Sequence, residues 1–170
     1  MDKAIITTFL IIISMVMAIF LFNAVYPAVI NSGEAMGNLT DRVDERLKSQ
    51  VEVVHVAGEL DQDGWWQDIN SNGSFDVFAW VKNVGSTRII PIEKSDVFFG
   101  PEGNFVRIPY QSEAGGTFPY WTADVENASE WTPTATVRFT IHYDVTLTSG
   151  RYYIKVTIPN GITVEQVFGM

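Results

Sequence analysis

The sequence predicts an α+β protein in which a long N-terminal hydrophobic α-helix precedes an immunoglobulin-like antiparallel β-sandwich. Two observations indicate this fold class. Residues 4–30 form an uncharged apolar run, and short strand patterns separated by turn residues follow Lys48. We therefore expect two domains, with the helix in residues 1–50 and the sandwich in residues 51–170.

The apolar run at residues 4–30 is long enough to cross a membrane. A helix needs about 20 apolar residues to span the hydrocarbon core. A cleavable signal would have a shorter apolar core and a basic start, whereas only Lys3 is basic here. We expect a membrane-spanning helix with a bend near Pro27, because proline leaves an earlier carbonyl of the helix without its donor.

The pattern becomes amphipathic over residues 30–48. Met36, Leu39, Val43 and Leu47 recur every three to four residues between charged side chains. The helix should therefore continue beyond the membrane. Its apolar stripe needs to pack against other helices or against the domain that follows, so self-assembly through this helix is one expectation.

Eight segments after Lys48 are rich in β-branched and aromatic residues and are separated by Gly, Pro, Asn and Ser. They are residues 51–57, 75–83, 87–92, 96–100, 104–110, 135–147, 151–158 and 162–168. Asn160-Gly161 predicts a tight hairpin between the last two. Trp80 is a candidate core residue. The other tryptophans fall in loop-like sequence, where they either cover the core or anchor an interface; they are Trp65, Trp66, Trp121 and Trp131.

The composition excludes several functions. The 170 residues include 20 acidic and 11 basic side chains, for a net charge of −9, and no cysteine. A nucleic-acid-binding protein needs a basic surface, and disulfides, cysteine zinc sites and thiol catalysis need cysteine. His55 and His142 lie in strand patterns without the partners of a catalytic triad, and no nucleotide-binding or HExxH motif is present. We therefore predict no enzymatic activity and no binding of nucleic acid.

One loop offers oxygen ligands at alternate positions around Gly73, as calcium loops do. The candidate ligands are Asp68, Asn70, Asn72, Ser74 and Asp76. Ala79 stands where an EF-hand would have its bidentate Glu, so this is no EF-hand. Two interpretations remain, an isolated calcium loop or a polar turn that needs no ion.

Three segments match the acceptor pattern for N-linked glycosylation, and they begin at Asn38, Asn72 and Asn127. A glycan on Asn72 would compete with its role as a calcium ligand.

Three stretches resemble the archaellin (archaeal-type flagellin) family of type IV pilin-like filament proteins, which includes the archaellum accessory proteins F and G. They are DERLKSQVEVVHVAGE at the helix-to-strand junction, FDVFAWVKNVGSTRI and the ending GRYYIKVTIPNGI. The resemblance covers nearly the whole chain. One departure is that no basic leader precedes the apolar run, and Ile5 stands where classical pilins have Glu. Either Met1 is the mature start of a trimmed filament subunit, or the chain is an accessory protein that is never trimmed.

The resemblance implies that the N-terminal helix forms an assembly core. Its residues would be Ile5, Phe9, Ile12, Val16, Ile19, Phe20 and Pro27. The main hypothesis is a structural subunit of an extracellular archaellum-like or pilus-like helical filament used for motility or adhesion. Such a homo-polymer is inserted in the cytoplasmic membrane before assembly and depends on a separate assembly ATPase and platform protein.

The alternative hypothesis is a membrane-anchored accessory or stator protein whose β-sandwich binds the cell envelope or the filament base. A third is an anchored adhesin that recognises its ligand with loop aromatics such as Trp65, Trp66 and Trp121.

Overall fold

A computed structural model describes residues 2–170, except for the side chain of Glu45. The chain forms two compact units, one of residues up to Val43 and one of Asp44–Met170. The prediction about Met1 as a mature N-terminus lies outside the described residues.

Helix α1 covers Asp2–Lys48, so the apolar run and the amphipathic stretch form a single element with Pro27 inside it. By length and composition the helix can cross a membrane, and none of its most apolar stretch is buried against the rest of the protein. The hydroxyl of Thr7 donates to the carbonyl of Lys3 at 2.7 Å, and that of Thr8 donates to the carbonyl of Ala4 at 2.9 Å. These polar side chains are therefore satisfied within the helix.

The second unit contains two four-stranded antiparallel sheets, which confirms the predicted α+β class with a sandwich after the helix. The first sheet has the order β1 (Val51–Gly58), β2 (Phe75–Asn83), β6 (Thr136–Tyr143) and β5 (Tyr120–Val125). The second has the order β4 (Val106–Ile108), β3 (Asp96–Pro101), β7 (Arg151–Thr157) and β8 (Thr163–Gly169). The hairpin predicted at Asn160-Gly161 joins β7 and β8.

The core takes alternate residues from both sheets, as expected for strands with one buried face. Val77, Ala79 and Val81 of β2 are fully buried, and so are Val97 of β3 and Val156 of β7. The two largest core side chains are Trp121 and Trp131, both completely buried.

The prediction that Trp80 is a core residue is wrong. It lies between the buried positions Ala79 and Val81, and therefore on the opposite, outer face of the sheet. The loop assignment of Trp121 is also wrong, because this residue belongs to β5.

The predicted strand at residues 87–92 is wrong as well. The segment is irregular and leads into a 3₁₀ helix at Ile92–Lys94. Pro91 has no N–H to donate to a sheet ladder, and Ile89 instead donates its amide to the carbonyl of Trp131 at 3.1 Å. A single-turn helix, α2 (Gln111–Ala114), precedes β5.

The last turn of α1 is bonded to two turns of the sandwich. The carbonyl of Lys48 accepts the amide of Ser86 at 2.7 Å, and the Arg46 Nε donates to the carbonyl of Asn160 at 3.0 Å. Gly85 packs so closely that a Cβ there would lie 2.4 Å from the Lys48 oxygen. The turn at residues 82–86 therefore caps the C-terminus of the helix through the Ser86 amide.

Candidate functional site

The outer face of the first sheet carries an unusual set of side chains, and a bulge in β1 contributes to it. The register between β1 and β2 shifts between Val53 and His55. Strict alternation from Val53 would turn His55 inward, but the extra residue Val54 leaves His55 exposed and opposite Trp80, and Val56 returns to the core. Bulges commonly redirect side chains in this way.

Strand register brings the outer residues into rows across the sheet. One row is His55, Trp80, Arg138 and Asp124; the next is Ala57, Phe78, Thr140 and Thr122; the third is Asp76, His142 and Tyr120. These residues are far apart in the sequence but lie side by side in the fold.

A groove of about 380 Å³ lies over these rows. Phe78, Trp80 and the exposed Ile69 give it an apolar lining, while Thr122 and Asp124 are among its polar residues. This volume is within the roughly 300–1,000 Å³ of typical small-molecule sites.

The Trp80 ring of the groove packs against two neighbouring rings on the outer face. The rings of His55 and Trp80 lie 5.7 Å apart at 27°, and the rings of Phe78 and Trp80 lie 5.9 Å apart. Contacts of this kind hold the indole in place on the outer face.

Arg138 lies between two carboxylates. Its guanidinium contacts Asp124 at 3.3 Å and Glu126 at 3.2 Å. Because the pairs are partly exposed, each contributes at most about 1 kcal/mol to stability. Their main effect is to orient the guanidinium and to balance its charge.

A chain of hydrogen bonds runs across the outer face of the sheet toward the groove. The His142 Nδ1 lies 2.7 Å from Asp76 Oδ1, and His142 Nε2 lies 3.0 Å from Thr122 Oγ1. Asp76 is completely buried. A carboxylate can only accept, so Nδ1 donates to it, and in the neutral imidazole Nε2 then accepts the Thr122 hydroxyl proton.

The environment of Asp76 favours its charged carboxylate form despite its burial. Burial by itself would raise the pKa of Asp76, but the hydrogen bonds from His142, Asn70 and Asn72 outweigh it and hold the pKa below its ordinary value. The two amide nitrogens lie 2.7 Å and 2.8 Å from Asp76 Oδ2. The site therefore stabilises a carboxylate rather than a carboxylic acid.

The predicted calcium ligands divide into two groups. Asn70 and Asn72 meet at Asp76, but they turn their amide nitrogens toward it rather than their oxygens. Asp68 instead accepts the backbone amides of Asn72 at 3.2 Å and Gly73 at 3.0 Å. Within residues 2–170 the structure has no group of three or more acidic or histidine ligands for a metal. Calcium binding stays a prediction, and so does the role of Ser74 in it.

A buried glutamate, which the sequence interpretation missed, holds the same loop. Glu59 is 1% exposed and accepts the Trp66 indole N–H at 3.1 Å, the Ile69 amide at 3.1 Å and the Asp76 amide at 3.0 Å. Its position directly after β1 gave no signal for this role.

The three glycosylation positions differ in their surroundings. Asn38 is exposed on α1, and Asn127 is exposed after β5. The side-chain nitrogen of Asn72, where a glycan would be attached, donates to Asp76. Modification of Asn72 would replace that hydrogen bond, while the other two positions are open.

The predicted assembly core has no protein partner within the described residues. Its six apolar side chains are all exposed, from 46% for Val16 to 69% for Phe20; the other four are Ile5, Phe9, Ile12 and Ile19. Pro27 lies on the same helix. This surface needs lipid or other helices around it.

Comparison with known proteins found similar proteins among the solved structures. No protein-family model and no curated protein sequence matches the chain. Among solved structures, the archaellum periplasmic stator protein FlaG from Sulfolobus acidocaldarius is 28% identical, with a TM-score of 0.54, and the match covers 71% of this chain and 99% of that one.

A second match is to the archaellum periplasmic stator protein complex of FlaF and FlaG from the same organism. It is 29% identical with a TM-score of 0.53, and it covers 70% of this chain and 88% of the matched chain. The chain is therefore similar in both sequence and fold to archaellum stator proteins, which confirms the resemblance to the archaellum accessory proteins inferred from its sequence.

Proposed function

We propose that this protein is a membrane-anchored accessory protein of an archaellum-type motor, of the periplasmic stator kind. The observation that carries this proposal is the match to FlaG, which spans 99% of the stator chain at 28% identity. A match over the whole of that chain supports a shared role for the part that is matched, and not only a shared sandwich.

Helix α1 supplies the anchor in this proposal. Its apolar side chains are exposed along the whole run that can cross a membrane. Burying them in lipid releases about 25 cal/mol for each Å² removed from water, so the helix holds the chain firmly in the membrane. The sandwich then lies in the cell envelope, where the matched stator proteins are placed by their description as periplasmic.

A protein partner belongs to the proposal. One of the matched structures is a complex of FlaF and FlaG, and this supports an archaellum protein as the partner of the present sandwich. The proposed role is mechanical, with the sandwich holding the envelope or the filament base, and it requires no catalytic step.

The filament subunit is the second candidate. The exposed apolar surface of α1 favours it to the same degree, because a bundle of helices would cover that surface as well as lipid would. The matched structures are stator proteins, however, and they favour the accessory role.

Cell fractionation with electron microscopy separates the two candidates. Filaments are sheared from the cells, and both filaments and membranes are probed for this chain. We expect the chain in the membrane fraction only, and we expect a deletion strain still to assemble filaments that no longer rotate. A chain recovered as the main subunit of sheared filaments would refute the accessory role.

A further inference from the structure

The groove on the outer face of the first sheet has an apolar aromatic wall and a set of polar side chains. Phe78 and Trp80 provide an apolar aromatic wall, while Thr122, Asp124 and Arg138 provide hydroxyl, carboxylate and guanidinium groups. A purely apolar occupant would remove those polar groups from water without replacing their hydrogen bonds, which is costly. The occupant therefore has an apolar face and several hydrogen-bonding groups.

The charges around the groove argue for a neutral occupant. Arg138 is paired with Asp124 and Glu126, and Asp76 adds a third carboxylate beside His142. Carboxylates therefore outnumber the guanidinium of Arg138, so a phosphate, a sulfate or an acidic sugar would meet no surplus of positive charge.

Hydrogen-bond directions specify the chemistry further. Asp76 fixes Nδ1 of His142 as a donor, and in the neutral imidazole Nε2 then accepts the Thr122 hydroxyl proton. The lone pairs of Thr122 Oγ1 are left to accept from a ligand. Asp124 accepts as well, and Arg138 donates. Neighbouring hydroxyl groups, each both donor and acceptor, match such a mixed set.

We propose that this groove binds a neutral sugar ring. A pyranose has a face of C–H groups that can lie against Trp80 and Phe78, and hydroxyl groups at its edge that can reach Thr122, Asp124 and Arg138. The source we assign is a glycan of the cell envelope, and that source rests on the function proposed above, whereas the chemistry of the groove does not.

The test measures sugar binding to the full chain in phosphatidylcholine nanodiscs, which contain no sugar. Methyl glycosides of mannose, galactose, glucose and N-acetylglucosamine are titrated and observed by saturation-transfer NMR, with glucuronate as the charged comparison. For a single ring the ordinary strength of small ligands predicts a dissociation constant on the order of 1 mM. We expect at least one neutral glycoside to bind and glucuronate to bind more weakly.

Variants locate the site. Trp80→Ala should weaken binding by roughly tenfold or more, because it removes the aromatic wall. Thr122→Val keeps the shape of the side chain and should weaken binding severalfold. Trp65→Ala is the matched control, since Trp65 is 72% exposed and lies outside the groove, and it should leave binding unchanged. Circular dichroism checks that each variant folds.

Binding of none of the glycosides up to tens of millimolar would overturn the proposal. An equal loss in Trp65→Ala and Trp80→Ala would also overturn it. These outcomes are independent of the test of the accessory role, because binding is measured on the purified chain. A chain found in sheared filaments would refute the accessory role and the envelope source, and would leave the sugar site standing.

Discussion

Asp76 shows how one buried carboxylate can organise a surface. It has no exposed area, yet it receives hydrogen bonds from His142, Asn70 and Asn72. These three donors come from a neighbouring strand and from the preceding loop. The residue therefore ties the loop to the sheet and also fixes the tautomer of the histidine that faces the groove.

This arrangement makes stability depend on pH in a definite direction. The folded state lowers the pKa of Asp76 below its ordinary 3.8. The stabilisation is therefore present above that value and is lost as the pH falls below it. Asp76→Asn should cost about 1.5–3 kcal/mol at pH 7, the range for hydrogen bonds to a charged group.

Urea unfolding, followed by tryptophan fluorescence, measures this effect. The difference in unfolding free energy between wild type and Asp76→Asn should be present above the ordinary pKa of 3.8 and should shrink as the pH falls from there toward 3. A difference that stays the same at pH 3 would show that Asp76 is not the charged partner described here.

Gly85 offers a residue-scale test of the junction between the helix end and the sandwich. A Cβ at this position would lie 2.4 Å from the Lys48 oxygen and 2.5 Å from the Gln50 nitrogen, both backbone atoms. Gly85→Ala should therefore lower the free energy of unfolding by about 1–3 kcal/mol, the usual cost of overpacking.

Gly169 provides the matched control for Gly85→Ala. It has open space around its Cβ position, so Gly169→Ala should be neutral or slightly stabilising. Equal urea midpoints for the two variants would contradict the close contact at Gly85.

At the scale of elements, the period of the hydrophobic residues predicted the helix and most strands. It did not predict which face of the sheet each residue occupies. Apolar spacing placed α1 and β2 well, since 3.6-residue and two-residue periods are local properties. The bulge at Val54 depends on the partner strand, and it decides whether His55 faces the core or the outer face of the sheet. Trp80 was assigned to the wrong face because its residue type was taken as the guide, whereas in β2 it alternates with the buried Ala79 and Val81.

Strand β5 illustrates another limit of the sequence. Trp121, Ala123 and Val125 pack inward while Thr122 and Asp124 face outward, which is ordinary alternation. The strand is short, and it follows a proline and a helical turn, so its local pattern looks like a loop. The site itself could not be predicted, because His142 lies 66 positions from Asp76 and 20 from Thr122, and only strand register brings them together.

The polar loop before β2 was interpreted either as a calcium site or as a turn that needs no ion. Asp68 already accepts backbone amide hydrogens of the loop, and Asp76 in β2 accepts the side-chain amides of Asn70 and Asn72. These hydrogen bonds favour a turn that needs no ion. We expect a chelator to leave the melting temperature unchanged, and we expect Asp68→Ala to lower it by several degrees through about 1 kcal/mol of lost capping. A drop on chelation that added calcium reverses, and that Asp68→Ala abolishes, would establish the calcium site instead.

For the whole molecule, the separation of apolar and charged sequence has a direct physical meaning. The net charge of −9 lies on a chain that is 46% hydrophobic, and the exposed apolar side chains are concentrated in α1. The two units therefore favour different surroundings, lipid or other helices for the first and water for the second. An anchor and a filament core both satisfy this division.

Exchanging the anchor distinguishes these two roles of the helix. If α1 only holds the chain in the membrane, any apolar helix of the same length and orientation should serve, because partition into lipid depends on total hydrophobicity rather than on particular side chains. We therefore replace residues 4–30 with an unrelated transmembrane segment and leave residues 31–170 intact. Under the accessory role, the chimera should restore rotation in a deletion strain, as judged by swimming tracks. A chain carrying the sandwich without any anchor is the negative control and should not restore rotation.

A filament core depends on specific packing between helices. A chimera that reaches the membrane but blocks filament formation would therefore contradict the accessory role and favour the filament subunit.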